Sequence, residues 1–421
     1  MPAHDPMAAL RQRNFQVYAV SLFASGTTNT MLPAVIVFQI YDISGSALQL
    51  GLFGLVRFLP ALVMSLLAGA VVDSYDRRRV SQLAQAGTLV CVLALLAFNI
   101  SGNINTPIIY AIIFVMAIAG SFNFPASGAL LPMLVTPATF PNAITVSGTI
   151  RQLGFVTGPA AAGFVVEFSG FSAGYALVAA LTAAAIVLLF FVRPRAIEAP
   201  RRAVSIAAIR EGIEFVRSRH IILGCITLDL FAVVFGGATA LLPIYAKDIL
   251  GVGALGFGLL AASLDVGALI MSLVLIFAPP AKRPGVWLMW AVLAFGLFTM
   301  GFGLSRSFPL SILMYGLIGM ADQVSVVMRL TTVQLNTPDE LRGRVSSVNS
   351  LFITTSNELG RVESGFVAAA TNATFAVVSG GLGCLAVLGI VWAKIPEMRR
   401  YRVQPAVPVE VEPVSAPAAA G

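Results

Sequence analysis

The sequence predicts an all-helical membrane protein with twelve transmembrane helices in two six-helix halves. Three observations predict this fold. The chain of 421 residues is 58% hydrophobic and only 11% charged, whereas an ordinary soluble domain is roughly 25% charged. Apolar runs of about 20 residues, which is enough to cross a bilayer core, recur along the whole chain. The basic residues gather in loops that fall on one side of a membrane.

The apolar runs place the spans. The first run follows a short basic stretch and lacks the small-residue cleavage pattern of a signal peptide, so we count it as a span. The predicted spans lie near residues 15–40, 48–72, 80–100, 107–131, 141–168, 172–192, 220–246, 253–278, 285–305, 308–333, 343–370 and 372–393.

The distribution of lysine and arginine sets the predicted orientation. Three consecutive arginines lie at 77–79 and seven more lie between 193 and 219, whereas the loops of the opposite side hold only Lys247 and Arg306. The basic side, with both termini, is therefore predicted to be cytoplasmic. A membrane thus accounts for the net charge of +7, and nucleic acid is not an expected partner.

These assignments divide the chain into five parts. They are a cytoplasmic N-terminal tail at 1–14, an N-terminal six-helix half at 15–192, a cytoplasmic connector at 193–219, a C-terminal six-helix half at 220–396 and a disordered cytoplasmic tail at 397–421. The connector contains a stretch from Ser205 to Arg217 that can form an amphipathic helix at the membrane surface.

The two halves look related in sequence, which indicates an internal duplication. Gly51 and the segment 64–66 recur 207 positions later as Gly258 and 271–273. The segment 151–154 resembles the segment 357–360, which lies 206 positions later.

The turn after the second span carries carboxylates followed by an arginine cluster, and such a turn can pair across to a neighbouring helix and favour one state of a gate. It resembles the loop between spans two and three of the major facilitator superfamily, although Ser74 stands where a basic residue is usual and Asp76 where glycine is usual. The resemblance implies that superfamily's fold with both termini cytoplasmic. The candidate residues of a cytoplasmic gate are Gly69, Asp73, Asp76, Arg77, Arg78, Arg342, Gly343 and Arg344.

The fifth span places small residues around a proline, at Gly154, Gly158, Pro159 and Gly163. This spacing permits close helix packing and a bend. It is similar to the Gly-Pro motif in the fifth span of exporting members of the superfamily, and close packing alone is the alternative interpretation.

The segment 337–351, with 356–360 and 363–365, is the most specific stretch of the chain. It is similar to the transmembrane-secretion-effector branch that includes the enterobactin exporter family, and this resemblance covers about residues 10–396. It departs from those relatives at Arg361 and Val362, where they tend to have an acidic residue and an aromatic. The resemblance implies export and makes a siderophore-like substrate reasonable.

Charges within the predicted spans mark a candidate site, because each costs about 2.5–3.5 kcal/mol at a helix centre on insertion scales. Asp322 and Arg329 are seven residues apart and share a helix face, and Glu358 and Arg361 are three apart. A buried carboxylate without a base can carry a proton, and fixed ion pairs between helices are the alternative. The candidates for proton coupling or substrate binding are Asp229, Asp265, Asp322, Glu358, Arg57, Arg151, Arg329 and Arg361; Glu167 and Glu363 lie near the outer ends of their spans.

These features predict a proton-coupled exporter of small amphipathic organic molecules that works by alternating access. A nutrient importer of the same fold is the first alternative, and a receptor or scaffold without transport activity is the second. An enzyme is not expected, because the sequence has no phosphate loop, nucleophile elbow or metal-binding cluster. We expect a monomer in the inner membrane that requires no cofactor, uses the proton gradient, and has its substrate and the lipid bilayer as partners.

Overall fold

The computed structural model describes residues 8–136, 138–192, 206–279, 281–338 and 340–402. The side chains at positions 61, 65–74, 77, 124–129 and 206–209 lie outside this description. Residues 193–205 of the connector and residues 403–421 of the C-terminal tail therefore fall outside the described residues.

Helices account for every regular element in the described part of the chain. They are α1 (Arg13–Ser44), α2 (Ala47–Ser74), α3 (Arg77–Ile100), α4 (Thr106–Leu130), α5 (Phe140–Phe191), α6 (Ile206–Ser218), α7 (His220–Phe235), α8 (Leu242–Ile244), α9 (Gly253–Phe277), α10 (Pro284–Leu304), α11 (Phe308–Leu335), α12 (Arg342–Ala370), α13 (Ala373–Lys394) and α14 (Pro396–Arg400). Short helical turns, Leu131–Met133, Ala238–Leu241 and Tyr245–Ile249, complete the set.

The longest helix, α5, has 52 residues and is interrupted once. Gly170 has φ 78° and ψ 175°, a backbone conformation that glycine adopts without a steric penalty. The interruption divides α5 into arms at 140–169 and 171–191, which correspond to the fifth and sixth predicted spans. Pro159 lies inside the first arm, where the backbone stays helical.

Ten described helical segments are long and apolar enough to cross a bilayer, with α5 counted once. The long helix α12 is outside this set; it carries Arg342, Arg344, Glu358, Arg361 and Glu363. The fold is thus that of a multi-pass helical membrane protein.

The bundle has two chemically different ends. The end that we call the low-charge end carries Gly170 and the turns at 45–46, 101–105, 250–252, 305–307 and 371–372. In the N-terminal half, hydrogen bonds join α1, α3 and α5 at this end: Gln39 Nε2 donates to Asn99 Oδ1 at 2.6 Å, and Asn99 Nδ2 donates to Ser172 Oγ at 2.6 Å. The end that we call the basic end carries the arginines and lysines between 77 and 79, between 210 and 219, at 282–283, at 342–344 and between 394 and 402.

Two pairs of helices form contacts between the halves. Glycines that recur in the sequence repeat lie at these contacts. In the α2–α12 pair, a Cβ added to Gly51 would lie 3.2 Å from the Cα of Gly365. In the α5–α9 pair, a Cβ added to Gly258 would lie 2.7 Å from the Cα of Gly163. The repeat-related glycines Gly51 and Gly258 therefore occupy matching contacts between opposite halves.

The connector helix α6 packs against the basic end of the C-terminal half. Val216 is buried together with Ile222 and Val345, and Arg344 forms an ion pair with Glu211. Part of the amphipathic helix predicted for the membrane surface thus packs against protein, because α12 offers an apolar strip beside it.

The tail differs from the predicted disorder at residues 397–400. These residues belong to α14, whose Met398 is fully buried against Gly224 of α7 and Gly285 of α10. The disorder prediction rested on the Pro, Ala and Val run that follows, and the apolar anchor Met398 lies at the start of this tail. Residues 403–421 lie outside the described part of the chain.

Candidate functional site

A buried ion pair joins three helices of the C-terminal half. Arg329 on α11 is 2% exposed, and its Nε lies 3.1 Å from Oδ1 of Asp229 on α7. The guanidinium also donates a hydrogen bond of 2.7 Å to Oδ1 of Asn349 on α12. A buried charge requires such partners, so these contacts fix α7, α11 and α12 relative to one another.

Two further candidate carboxylates lie in this region, Asp322 near the pair and Asp265 near Asp322. Asp322 is half-buried on α11 and interacts electrostatically with Asp229, Arg329 and Asp265. The predicted Asp322–Arg329 pairing on one helix face differs from the structure, because Asp229 reaches Arg329 from α7. Neither Asp322 nor Asp265 has a hydrogen bond or ion pair to its carboxylate among the described residues. A proton that binds to either of these carboxylates therefore does not have to displace a paired cation.

A second charge cluster bridges the two halves. Arg57 Nε on α2 lies 3.6 Å from Glu358 Oε1 on α12, and Arg361 Nη1 lies 3.4 Å from Glu358 Oε2. Gly54 permits this approach, since a Cβ there would lie 3.1 Å from Arg361 Cβ. The side chains of Arg57 and Arg361 are 33% and 26% exposed, whereas that of Glu358 is 11% exposed.

The other inter-half pair places a polar contact at the matching position. Gln152 on α5 donates through Nε2 to the backbone carbonyl of Asp265 on α9, at 3.4 Å. Gln152 is the repeat-related counterpart of Glu358 in the sequence. At positions related by the duplication, one contact between the halves therefore has an amide hydrogen bond and the other has an ion pair. Arg151, beside it, lies near the buried Tyr18 of α1.

An interrupted helix adjoins the second cluster. The predicted span at 220–246 is broken in the structure, because α7 ends at Phe235 and only short turns follow. At Gly237 an added Cβ would lie 2.5 Å from the carbonyl oxygen of Gly360 on α12. The sequence signal for this break was the Gly236–Gly237 pair. Broken helices beside charged groups are typical of solute sites in membrane proteins.

The basic-end gate residues are only partly described. Asp76 caps α3, accepting hydrogen bonds from the backbone nitrogens of Arg78 and Arg79. Arg78 donates to the carbonyl oxygen of Val192 at 2.9 Å, which ties α3 to the end of α5. Arg342 and Gly343 begin α12 beside Arg344. The side chains of Asp73 and Arg77, and the surroundings of Gly69, lie outside the described residues, so their predicted gate role stays a prediction.

The small residues of the fifth span serve close helix packing. A Cβ at Gly154 would lie 2.9 Å from the backbone nitrogen of Thr27 on α1, and Gly163 faces α9 as described. The dihedral break within α5 falls at Gly170, not at Pro159.

Gly158 gives a direct test of this packing. An added Cβ would lie 2.0 Å from Thr30 Oγ1 and 2.6 Å from the carbonyl oxygen of Thr27. We expect Gly158→Ala to destabilise the protein by about 1–3 kcal/mol through overpacking, seen as a lower yield of monodisperse protein on size exclusion. Gly148→Ala on the same helix is the matched control, since nothing lies within 4 Å of its added Cβ. Equal yields for the two variants would contradict this assignment.

The low-charge end is closed by polar contacts between the halves. Glu167 on α5 accepts hydrogen bonds from the backbone nitrogens of Ala254 and Leu255, at 2.8 and 3.1 Å, and so caps the first turn of α9. Lys247 Nζ bonds Asp42 Oδ1, and Tyr41 donates to Asp248. The sequence marked Glu167 only as a charge near a span end, because its partners are backbone groups of a distant helix.

Removing the Glu167 carboxylate is expected to loosen this closure. An N-cap interaction contributes about 0.5–2 kcal/mol, so Glu167→Ala should speed modification of a cysteine placed at Ala254 by about two- to thirtyfold. Ala254 is 5% exposed, and the native Cys91, Cys225 and Cys384 are buried, which keeps the background low. A membrane-impermeant thiol reagent measures the rate. Glu214→Ala, on the distant helix α6, is the control, and an unchanged rate in Glu167→Ala would refute the role.

Comparison with known proteins identifies the family. The model of the Major Facilitator Superfamily matches residues 15–360. The chain belongs to the major facilitator superfamily. Its charge clusters, broken seventh helix and paired halves are therefore features of a transporter of this superfamily.

Two curated relatives of this superfamily member are exporters by description. The multidrug efflux pump Tap of Mycobacterium tuberculosis is 27% identical over 384 residues, which cover 87% of this chain and 89% of Tap. The enterobactin exporter EntS of Escherichia coli is 24% identical over 396 residues, which cover 93% of this chain and 94% of EntS. The similarity to the enterobactin exporter family, expected from segment 337–351, is thus confirmed.

Solved structures agree with the superfamily fold. The nucleoside transporter NupG superposes with a TM-score of 0.70 at 13% identity, covering 90% of this chain and 99% of NupG. A bacterial homologue of the lysosomal transporter Spinster, in an inward-facing and occupied conformation, gives a TM-score of 0.68 at 14% identity, covering 96% of this chain and all of the homologue. At these identities the comparison establishes the shared fold.

Proposed function

We propose that this protein is a proton-coupled exporter of small amphipathic organic molecules in the inner membrane. One observation carries the proposal: Asp322 lies beside a buried ion pair, Asp265 lies near Asp322, and neither carboxylate has a cation partner in the described part of the chain. A group of this kind can take up and release a proton as the surroundings change. The proton gradient would supply the energy, with no cofactor.

The proposed topology has twelve spans and both termini in the cytoplasm. The ten apolar segments become twelve when the two arms of α5 count separately and α12 is included. Burial against neighbouring helices makes the charges of α12 tolerable, since Glu358 is 8% exposed and paired with Arg57 and Arg361. The basic end would face the cytoplasm by the positive-inside rule.

In this orientation the halves are held together at the outer end. The cap from Glu167, the Lys247–Asp42 pair and the Tyr41–Asp248 bond all lie there. At the basic end Arg78 bonds Val192 within the N-terminal half, and Arg344 of the C-terminal half pairs with Glu211 of the connector. This arrangement supports a state that accepts solute from the cytoplasm, and alternating access would exchange the two sets of contacts.

The substrate class follows from chemistry and from the relatives. Phe231 on α7 is 38% exposed and stacks on Phe235, with ring centroids 6.0 Å apart. The partly exposed side chains of Arg57 and Arg361 lie on the α2–α12 contact. A site that offers both aromatic and cationic side chains suits an amphipathic organic solute. The descriptions of Tap and EntS name drugs and enterobactin, so drug-like and siderophore-like molecules are the two classes to test first.

A nutrient importer of the same fold is the alternative, and intact cells distinguish the two directions. The protein is expressed in a bacterial strain without its major efflux pumps, and cellular fluorescence is followed with a lipophilic cationic dye. Export predicts lower dye accumulation in energised cells and recovery after a protonophore. Import predicts higher accumulation than in cells with an empty vector. If cells with the protein accumulate as much dye as cells with the empty vector, and a labelled siderophore gives the same result, export of both classes is refuted.

A further inference from the structure

The three tryptophans of the chain lie at the basic ends of two neighbouring helices. Trp287 and Trp290 are in the first two turns of α10, and Trp392 is in the last turn of α13, which packs against α10. Their side chains are 57%, 62% and 46% exposed. At 1.5 Å per residue, all three are within about 9 Å of their helix ends, which is the depth of lipid headgroups.

Basic side chains surround these tryptophans. The Arg399 guanidinium lies 4.9 Å from the Trp392 ring centroid, a distance at which the ring holds the cation in place. Four cations beside it are exposed: Lys282, Arg283, Lys394 and Arg400. The nearest carboxylate in this segment, Glu397, is turned to His220 at 3.7 Å. The patch therefore has a strong excess of positive charge.

The chain holds this patch in a fixed position. Met398 of α14 is 0% exposed, and a Cβ on Gly224 would lie 2.5 Å from its Sδ. A Cβ on Gly285 would lie 2.2 Å from the Met398 carbonyl oxygen. Two glycines thus form a slot for Met398, and this slot sets Arg399 and Arg400 at the ends of α10 and α13. A five-residue segment held this way presents its arginines at a defined depth.

We propose that the surface at the basic ends of α10 and α13, which carries Trp287, Trp290, Trp392, Arg399 and Arg400, binds anionic phospholipids of the adjoining leaflet. The phosphate and the acidic headgroup lie against the arginines, and the indole rings contact the glycerol and upper acyl region. Charge complementarity selects an anionic lipid over a zwitterionic one. This site does not depend on the transport proposal, because its test measures lipid binding.

Tryptophan fluorescence reports on this surface alone, since the chain has no other tryptophan. The purified protein is reconstituted in phosphatidylcholine vesicles that contain increasing fractions of brominated phosphatidylglycerol or of brominated phosphatidylcholine. We expect the association constant from quenching to be at least about fivefold higher for phosphatidylglycerol. The ratio between the two lipids cancels any change in tryptophan brightness. Equal quenching by both lipids in the unaltered protein would overturn the proposal.

Variants and a soluble competitor separate the sources of the effect. Arg399→Gln with Arg400→Gln should bring the ratio close to one, and Arg400→Gln alone should lower it. The control Arg210→Gln, in the exposed Arg210–Glu214 pair on α6, should keep the full ratio. Inorganic phosphate at millimolar concentration should leave the quenching unchanged. An unchanged ratio in both Arg400 variants, or displacement by free phosphate, would overturn the assignment to lipid.

Discussion

Replacing Arg329 by methionine is expected to lower the free energy of unfolding by about 3–5 kcal/mol, the effect of removing one partner from a buried ion pair. Arg329 is 2% exposed and holds Asp229 and Asn349 from two other helices. Without it, the Asp229 carboxylate stays buried with no counter-charge, and the amide oxygen of Asn349 loses its donor. The consequence is a weakened contact between α7, α11 and α12.

The buried cysteines of the chain provide the measurement. Cys91, Cys225 and Cys384 are free and buried, so a thiol-reactive dye becomes fluorescent as the detergent-solubilised protein unfolds on heating. The double variant Asp229→Asn with Arg329→Met should recover most of the lost stability, because no unpaired charge remains. Arg306→Met, at an exposed arginine near the low-charge end, is the control. Identical unfolding of Arg329→Met and the unaltered protein would contradict the structural role of the pair.

Neutralising Asp322 is expected to remove most of the gradient-driven transport while the protein still folds. Asp322→Asn removes the site for a proton but preserves the shape of the side chain, and no ion pair to Asp322 is lost among the described residues. Coupling free energies of about 1–3 kcal/mol correspond to changes of about 5- to 150-fold. We expect a loss in that range in the concentration ratio reached under an imposed pH gradient.

Exchange of substrate across the membrane without a gradient separates coupling from binding. It should persist in Asp322→Asn and show that solute is still bound and released. Glu363→Gln is the matched control, since its carboxylate accepts a hydrogen bond only from the adjacent Ser364 in the described structure. Asp265→Asn tests the second carboxylate in the same assay. Full gradient-driven transport by both Asp322→Asn and Asp265→Asn would disprove their coupling role.

Much of the fold was predictable because membrane insertion leaves strong marks in a sequence. Apolar length located the helices, and the glycines repeated 207 positions apart, Gly51 and Gly258, occupy equivalent contacts between the halves. The break after α7 was not predicted, although Gly236 and Gly237 indicate it. An apolar run predicts a continuous helix, and the contact between Gly237 and Gly360 is visible only in the structure. The same holds for α14, where one methionine anchors a basic segment.

The candidate site was predictable by residue type but less so by pairing. Spacing placed Asp322 and Arg329 on one face, yet a helix that is adjacent only in space supplies Asp229 as the partner. Arg57 and Glu358 are far apart in sequence and meet only because α2 crosses α12 at glycines. The cap that Glu167 gives to α9 uses backbone nitrogens, which every residue possesses and no motif records.

Transport by inside-out membrane vesicles tests the central claim, proton-coupled export, most directly. Vesicles containing the protein receive a labelled siderophore or a lipophilic dye, with and without an imposed inside-acid pH gradient, and vesicles with Asp322→Asn serve as the comparison. The account predicts accumulation of at least one of the two solutes that requires the gradient, disappears with a protonophore and is mostly lost in the variant. Accumulation that does not depend on the gradient, or no accumulation of either solute, would contradict this account.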